Sequence, residues 1–113
     1  MPVSDADLLA TVGSLLSPDA SERARAADEI TDFAKSLKAD HAEVLARLLV
    51  VLRLGESDVE CQEAQLNALS ELKEWYEIKN ATLLRLRVVP EDSLRGSQKE
   101  HFDDILGDLA GSS

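Results

Sequence analysis

Aromatic residues make up only 4% of this 113-residue chain: one Trp, one Tyr and two Phe. There are five Gly and three Pro. Sandwiches and barrels draw on aromatic residues for their pleated faces and on Gly and Pro for their many turns. That supply is missing, and the balance favours an all-α domain rich in Leu, Ala and Val. Cys61 is the one cysteine, so no internal disulfide can form and nothing suggests a stapled secreted fold. Basic residues are also scarce, 12 against 22 acidic ones, for a net charge of −10 and a pI near 4.5. A field of that sign repels phosphate backbones and anionic lipid surfaces, so neither a nucleic-acid nor a membrane partner is expected. The longest apolar segment, VLARLLVVLRL, is broken by Arg47 and Arg53 and is too short to span a bilayer. MPVSDADLLATVG lacks the basic start and apolar core of a signal peptide, and a cytoplasmic location is the expectation. CxxC, HExxH, GxGxxG, GxxxxGK and GxSxG are all missing.

What the chain does have is clear helix punctuation, with six helices expected at about 4–16, 21–38, 40–54, 58–76, 80–89 and 97–110 and a frayed tail at 111–113. Ser4 opens the first, with Leu8, Leu9, Val12, Leu15 and Leu16 as its apolar face, and Pro18 closes it. The second presents Ala24, Ala27, Ile30, Phe33, Ala34 and Leu37 inward. Asp40 with Glu43, Ser57 with Glu60, and Ser97 with Glu100 have the spacing of capping boxes. The third helix is apolar on most sides and is expected to lie between neighbours, with Gly55 ending it in a left-handed conformation. On the fourth, Cys61, Ala64, Ala68, Leu72 and Trp75 form one stripe, and Glu60, Glu63, Asn67, Glu71 and Glu74 the opposite one. Asn80 caps the fifth, which Pro90 ends, and the sixth buries Phe102, Ile105, Leu106 and Leu109.

Shifting the chain by about 39 residues superposes two helix pairs. Asp19 meets Asp58; Ala27, Ile30 and Phe33 meet Leu66, Leu69 and Leu72; Ala42, Val44 and Leu45 meet Ala81, Leu83 and Leu84. The segments SPDASERARAADEITDF with HAEVLARLLVVL, and GESDVECQEAQLNALSEL with NATLLRLRVV, resemble the HEAT/armadillo class of helical repeats over about two-thirds of the chain. The proline usual within the first helix of such a repeat is missing, and the chain is short for a solenoid, so either a short superhelix or a closed bundle fits. The resemblance implies antiparallel helical hairpins and a scaffold that binds a partner across an extended face.

Two groups could carry chemistry. Cys61 would need a nearby His, and His41 and His101 are available, but its place on an apolar stripe points to a buried thiol raised further by Glu60 and Glu63. Glu100, His101, Asp103 and Asp104 could share a metal across one helical turn, yet acids at the start of a helix are explained by its dipole. Neither a cofactor nor a metal is expected, and no catalysis.

The segment from Gly55 to Glu77 carries seven acids against one lysine and ends in Trp75 and Tyr76, one of which should pack inward. Arg47, Arg53, Arg85 and Arg87 lie on the other helices of the pairs. The expected binding residues are therefore Glu60, Glu63, Asn67, Glu71, Glu74, Trp75 and Tyr76, and the expected partner is a basic protein. An acidic inhibitor of a nuclease-like toxin, in the manner of bacterial immunity proteins and antitoxins, is one form of that expectation. An adaptor or a subunit of a larger helical assembly is the other, and the oligomeric state is left open.

Overall fold

Ser4, Asp19 and Asp58 each stand one residue ahead of a helix and accept a hydrogen bond from its first turn. Ser4 takes the Asp7 N–H at 3.1 Å, Asp19 the Ser21 N–H at 3.0 Å and Asp58 the Cys61 N–H at 2.9 Å. These contacts satisfy amide donors that have no partner inside the helix. In the computed structural model, which describes the backbone of residues 3–111 and the side chains of residues 3–107, the chain forms six α-helices. They are α1 (Asp5–Leu15), α2 (Ala20–Phe33), α3 (Ala39–Gly55), α4 (Val59–Trp75), α5 (Asn80–Leu84) and α6 (Gln98–Gly111). Single 3-10 turns prolong α2 over Ala34–Ser36 and α5 over Arg85–Val88, and another spans Glu91–Ser93. No strand occurs among the described residues.

The fifth helix is shorter than its sequence pattern suggests. Pro90 disfavours helical geometry in the residue before it, and Val89 is extended at φ −75° and ψ 122°, so the last turn tightens to 3-10 instead of continuing. The expected capping boxes do not form. α3 begins at Ala39, which leaves Asp40 inside its first turn bonding the His41 N–H. At α4 the cap is Asp58 rather than Ser57, and at α6 the Ser97 hydroxyl donates across the fold to Glu63. Asn80 is the first residue of α5 and supplies no side-chain cap. Gly55 remains helical; among the described residues the glycine in the left-handed region is Gly96, at φ 55°, two residues ahead of α6. Of the tail, Ser112 and Ser113 lie outside the described residues, as does the Leu109 side chain.

α4 occupies the middle of the molecule. Its most extensive contact is with α2, and it also packs on α3 and α6. Small residues make this possible: Ala26 and Ala27 on α2, and Ala64 and Ala68 on α4, are all buried and let helices approach closely. Leu66, Leu69 and Leu72 of α4 share one core with Ile30, Leu45, Leu49, Leu83, Leu86, Phe102 and Ile105. α3, expected between neighbours, is instead open on one side. It packs on α4 and α5 but leaves Val44, Val51 and Leu54 in solvent. The face of α1 is also turned from expectation. Thr11 and Leu15 are buried, whereas Leu9 is 71% exposed and Leu16 58%. The helices α2, α4 and α6 adjoin in one row, α3 and α5 adjoin beside it, and the shortest extent is 19 Å, about two helix diameters.

Candidate functional site

The acidic stripe of α4 faces the groove between α2 and α6. Glu60, Glu63 and Asn67 line it with Ala24 and Asp28 from α2 and His101 from α6, around about 450 Å³. Asp28 and Glu60 are exposed, and no ion pair engages Asp28, Glu60 or Glu63 among the described residues. Partial enclosure pushes the Asp28 carboxyl above its ordinary value, and Asp32, one turn on, adds to the effect. This groove holds unneutralised negative charge, so it favours a cation.

The seven expected binding residues are spread along α4, and only some of them line this groove. Glu60, Glu63 and Asn67 line the groove together. Glu74 borders a neighbouring depression with Ser70, Lys73 and Asp104. Glu71 accepts from the indole Nε1 of Trp75 at 3.1 Å, and that ring is 53% exposed. Tyr76 turns the other way. Its hydroxyl lies 2.8 Å from the Ala34 carbonyl oxygen and 2.6 Å from that of Leu37, and it donates its single proton there, tying the end of α4 to the end of α2. Tyr76 is thus the structural member of the pair and Trp75 the available one.

Asp28 was not among the expected residues. The signal for it was the repeat itself, because the shift of about 39 residues sets Asp28 on Asn67, and both line this groove.

A second cluster could not be read from the pattern. Glu56, whose side chain is 3% exposed, takes both Arg23 Nε at 2.8 Å and Nη2 at 2.7 Å. Gln65 Nε2 donates to the same carboxylate at 3.1 Å, and Arg23 Nη1 reaches the Ser17 carbonyl at 2.9 Å. Two turns and two helices are clasped by one ion pair. Arg23 donation outweighs burial and holds the Glu56 carboxyl at about 2, well below the usual range. Cys61 lies beside it, fully buried. Burial pushes the thiol up to about 12, and the Glu56 carboxylate adds to the shift. A thiol with that pKa is a poor nucleophile near neutral pH.

The arginines divide into two kinds. Arg47, Arg85 and Arg87 are exposed on α3 and the turn after α5. Arg53, expected with them, is buried, with Nη2 donating to Gln98 Oε1 at 3.3 Å. Its guanidinium pKa is lowered by burial, with Glu56 opposing. Of the eight exposed large apolar residues among the described ones, Val44, Val51 and Leu54 lie on α3 with Arg47, and Leu16 of α1 borders the same depression as Val51.

Glu100, Asp103 and Asp104 are exposed, and His101 is turned into the groove; among the described residues no three His, Cys, Asp or Glu side chains come together as a metal site. No described helix is long and apolar enough to cross a membrane. The chain matches no protein-family model, no curated protein and no solved structure.

Proposed function

We propose that the chain is a non-catalytic binding module that holds a basic protein against the groove between α2, α4 and α6. The observation that carries this reading is the set of Asp28, Glu60 and Glu63 around one depression without a neutralising cation among the described residues. Clefts lined by one sign of charge concentrate partners of the other sign and speed their capture. The net charge of −10 extends that field over the whole molecule and disfavours nucleic acid as the partner. A small acidic protein of this kind could occlude the active surface of a basic nuclease-like toxin, and an immunity or antitoxin role is the specific form proposed.

The architecture proposed for it is a short HEAT-like stack. Asp19 and Asp58, superposed by the repeat shift, both cap the helices that follow them, and Ile30 and Leu69, superposed by the same shift, are both fully buried. A second reading, an adaptor or a subunit of a larger helical assembly, is favoured by the exposed apolar residues of α1 and α3.

The test is capture from host lysate on immobilised protein, eluted by a salt gradient, beside a variant carrying Asp28→Lys, Glu60→Lys and Glu74→Lys. All three are exposed, so the variant should fold. A basic protein retained by the wild type, released by salt and lost from the variant is the expected result. Capture that ignores both salt and charge reversal would exclude the groove as the site.

A further inference from the structure

We propose that the side of the molecule formed by α1, α3 and the turn after α5 is a second docking surface, and that its partner is an amphipathic helix whose apolar stripe is flanked by acidic residues. This surface is independent of the acidic groove.

Three observations carry the proposal. The first is shape. Val44, Arg47, Val51 and Leu54 recur at helical spacing along the open side of α3, so they form one ridge. A groove runs on each side of it. Toward α1, Leu16, Val51 and Leu52 border a depression of about 250 Å³; toward α5, Arg47, Val50, Ala81, Thr82 and Arg85 border one of about 280 Å³. A ridge between two grooves is what a partner helix packs against, with anchors recurring every three to four residues.

The second is where the apolar surface lies. Val44, Val51 and Leu54 are exposed along one face of α3, and the exposed Leu16 of α1 borders the same depression as Val51. Gathered apolar exposure of this kind marks an interaction site, whereas scattered exposure does not.

The third is charge, which selects the occupant. In a chain with a net charge of −10, this side displays Arg47, Arg85 and Arg87. Two carboxylates that border it are already engaged, Glu43 by Arg47, the Lys79 N–H and the Thr82 hydroxyl, and Glu56 by Arg23. An acidic flank on the incoming helix would meet these arginines. A second copy docked through the same side would set arginine against arginine, and an anionic bilayer would face the repulsion of the whole molecule.

The experiment uses a displayed library of helical peptides on a fixed backbone, with both the stripe and its flanks randomised, selected on the intact immobilised protein. Enriched peptides should carry apolar residues at i, i+3 or i+4, and i+7, with Asp or Glu beside them. Their binding should weaken about tenfold or more with Val51→Glu, and again with Arg47→Glu plus Arg85→Glu. Glu60→Lys, in the acidic groove, should leave it unchanged, which separates this surface from that one. The substituted side chains are exposed, and far-UV circular dichroism checks that each variant keeps its helices. The proposal is overturned if no helix is enriched, if the enriched flanks are basic, or if Val51→Glu has no effect. It is equally overturned if sedimentation of the free protein reveals a dimer that Val51→Glu dissolves, because the occupant would then be a second copy.

Discussion

Arg23 and Glu56, 33 residues apart in the chain, meet in a two-point ion pair that joins the start of α2 to the turn between α3 and α4. Both arms are engaged at once, and the third arginine nitrogen holds the Ser17 carbonyl at the turn after α1. A planar guanidinium fits a carboxylate in this way, whereas a lysine would supply only a point charge. The clasp also sets the chemistry around it, since the buried thiol of Cys61 lies against the same carboxylate.

Acid should dissolve the clasp in a defined window. The folded Glu56 carboxyl is held at about 2, against 4.5 for an unperturbed group. A depressed folded pKa contributes stability that is fully present above the unfolded value and lost as the pH falls toward the folded one. Urea midpoints measured from pH 6 to pH 2 should therefore fall below about pH 4.5, and Glu56→Gln should flatten that slope while lowering stability by about 3 kcal/mol at neutral pH. An unaltered slope in the variant would show that Glu56 is not the group responsible.

Cys61 should resist alkylation. With its thiol at about 12 and no exposed surface, iodoacetamide should label it slowly in the native protein at pH 8 and fast in urea. Native labelling as fast as that of a free peptide thiol would contradict the packing of α4.

Two glycines should respond in opposite ways to alanine. Gly55 is helical and a Cβ there meets nothing within 4 Å, so Gly55→Ala should leave stability unchanged or raise it by up to about 1 kcal/mol. Gly96 sits at φ 55°, where a side chain is strained, and Gly96→Ala should cost about 1 kcal/mol. Thermal melts of the two variants, side by side, check the assignment of the left-handed turn to the residue ahead of α6.

Glu43 should matter more than its exposed salt bridge suggests. Its carboxylate accepts the Lys79 N–H at 2.8 Å and the Thr82 hydroxyl at 2.7 Å, so α3 caps α5 from a distance. Burial opposes ionisation, but these donors and Arg47 outweigh it and hold the carboxyl below its ordinary value. Glu43→Ala should cost about 1–2 kcal/mol and speed amide exchange at Lys79. Arg47→Ala, which removes only the i,i+4 pair, should cost about 0.5 kcal/mol or less. Equal effects from the two would mean the distant cap contributes nothing.

The number of helices, their order and most of their inner faces were legible in the sequence, because these follow from local rules. Ser4 announces the first helix, Pro90 ends the fifth, and Ile30, Leu69 and Ile105 fall at helical spacing. Part of the acidic groove was legible for the same reason: Glu60, Glu63 and Asn67 share a face of one helix whatever surrounds it. What only the tertiary structure decided is which helix is central and which face is left open. The largely apolar α3 suggested a buried helix, but α4, with Ala64 and Ala68 buried and its most extensive contact made to α2, took the centre, and Val44, Val51 and Leu54 remained in water. The clasp between Arg23 and Glu56, the cap that Glu43 supplies to α5, and the opposite turns taken by Trp75 and Tyr76 depend on residues brought together across helices. Helical periodicity encodes the direction of a side chain around its own axis; it carries no information about what stands on the other side of that direction.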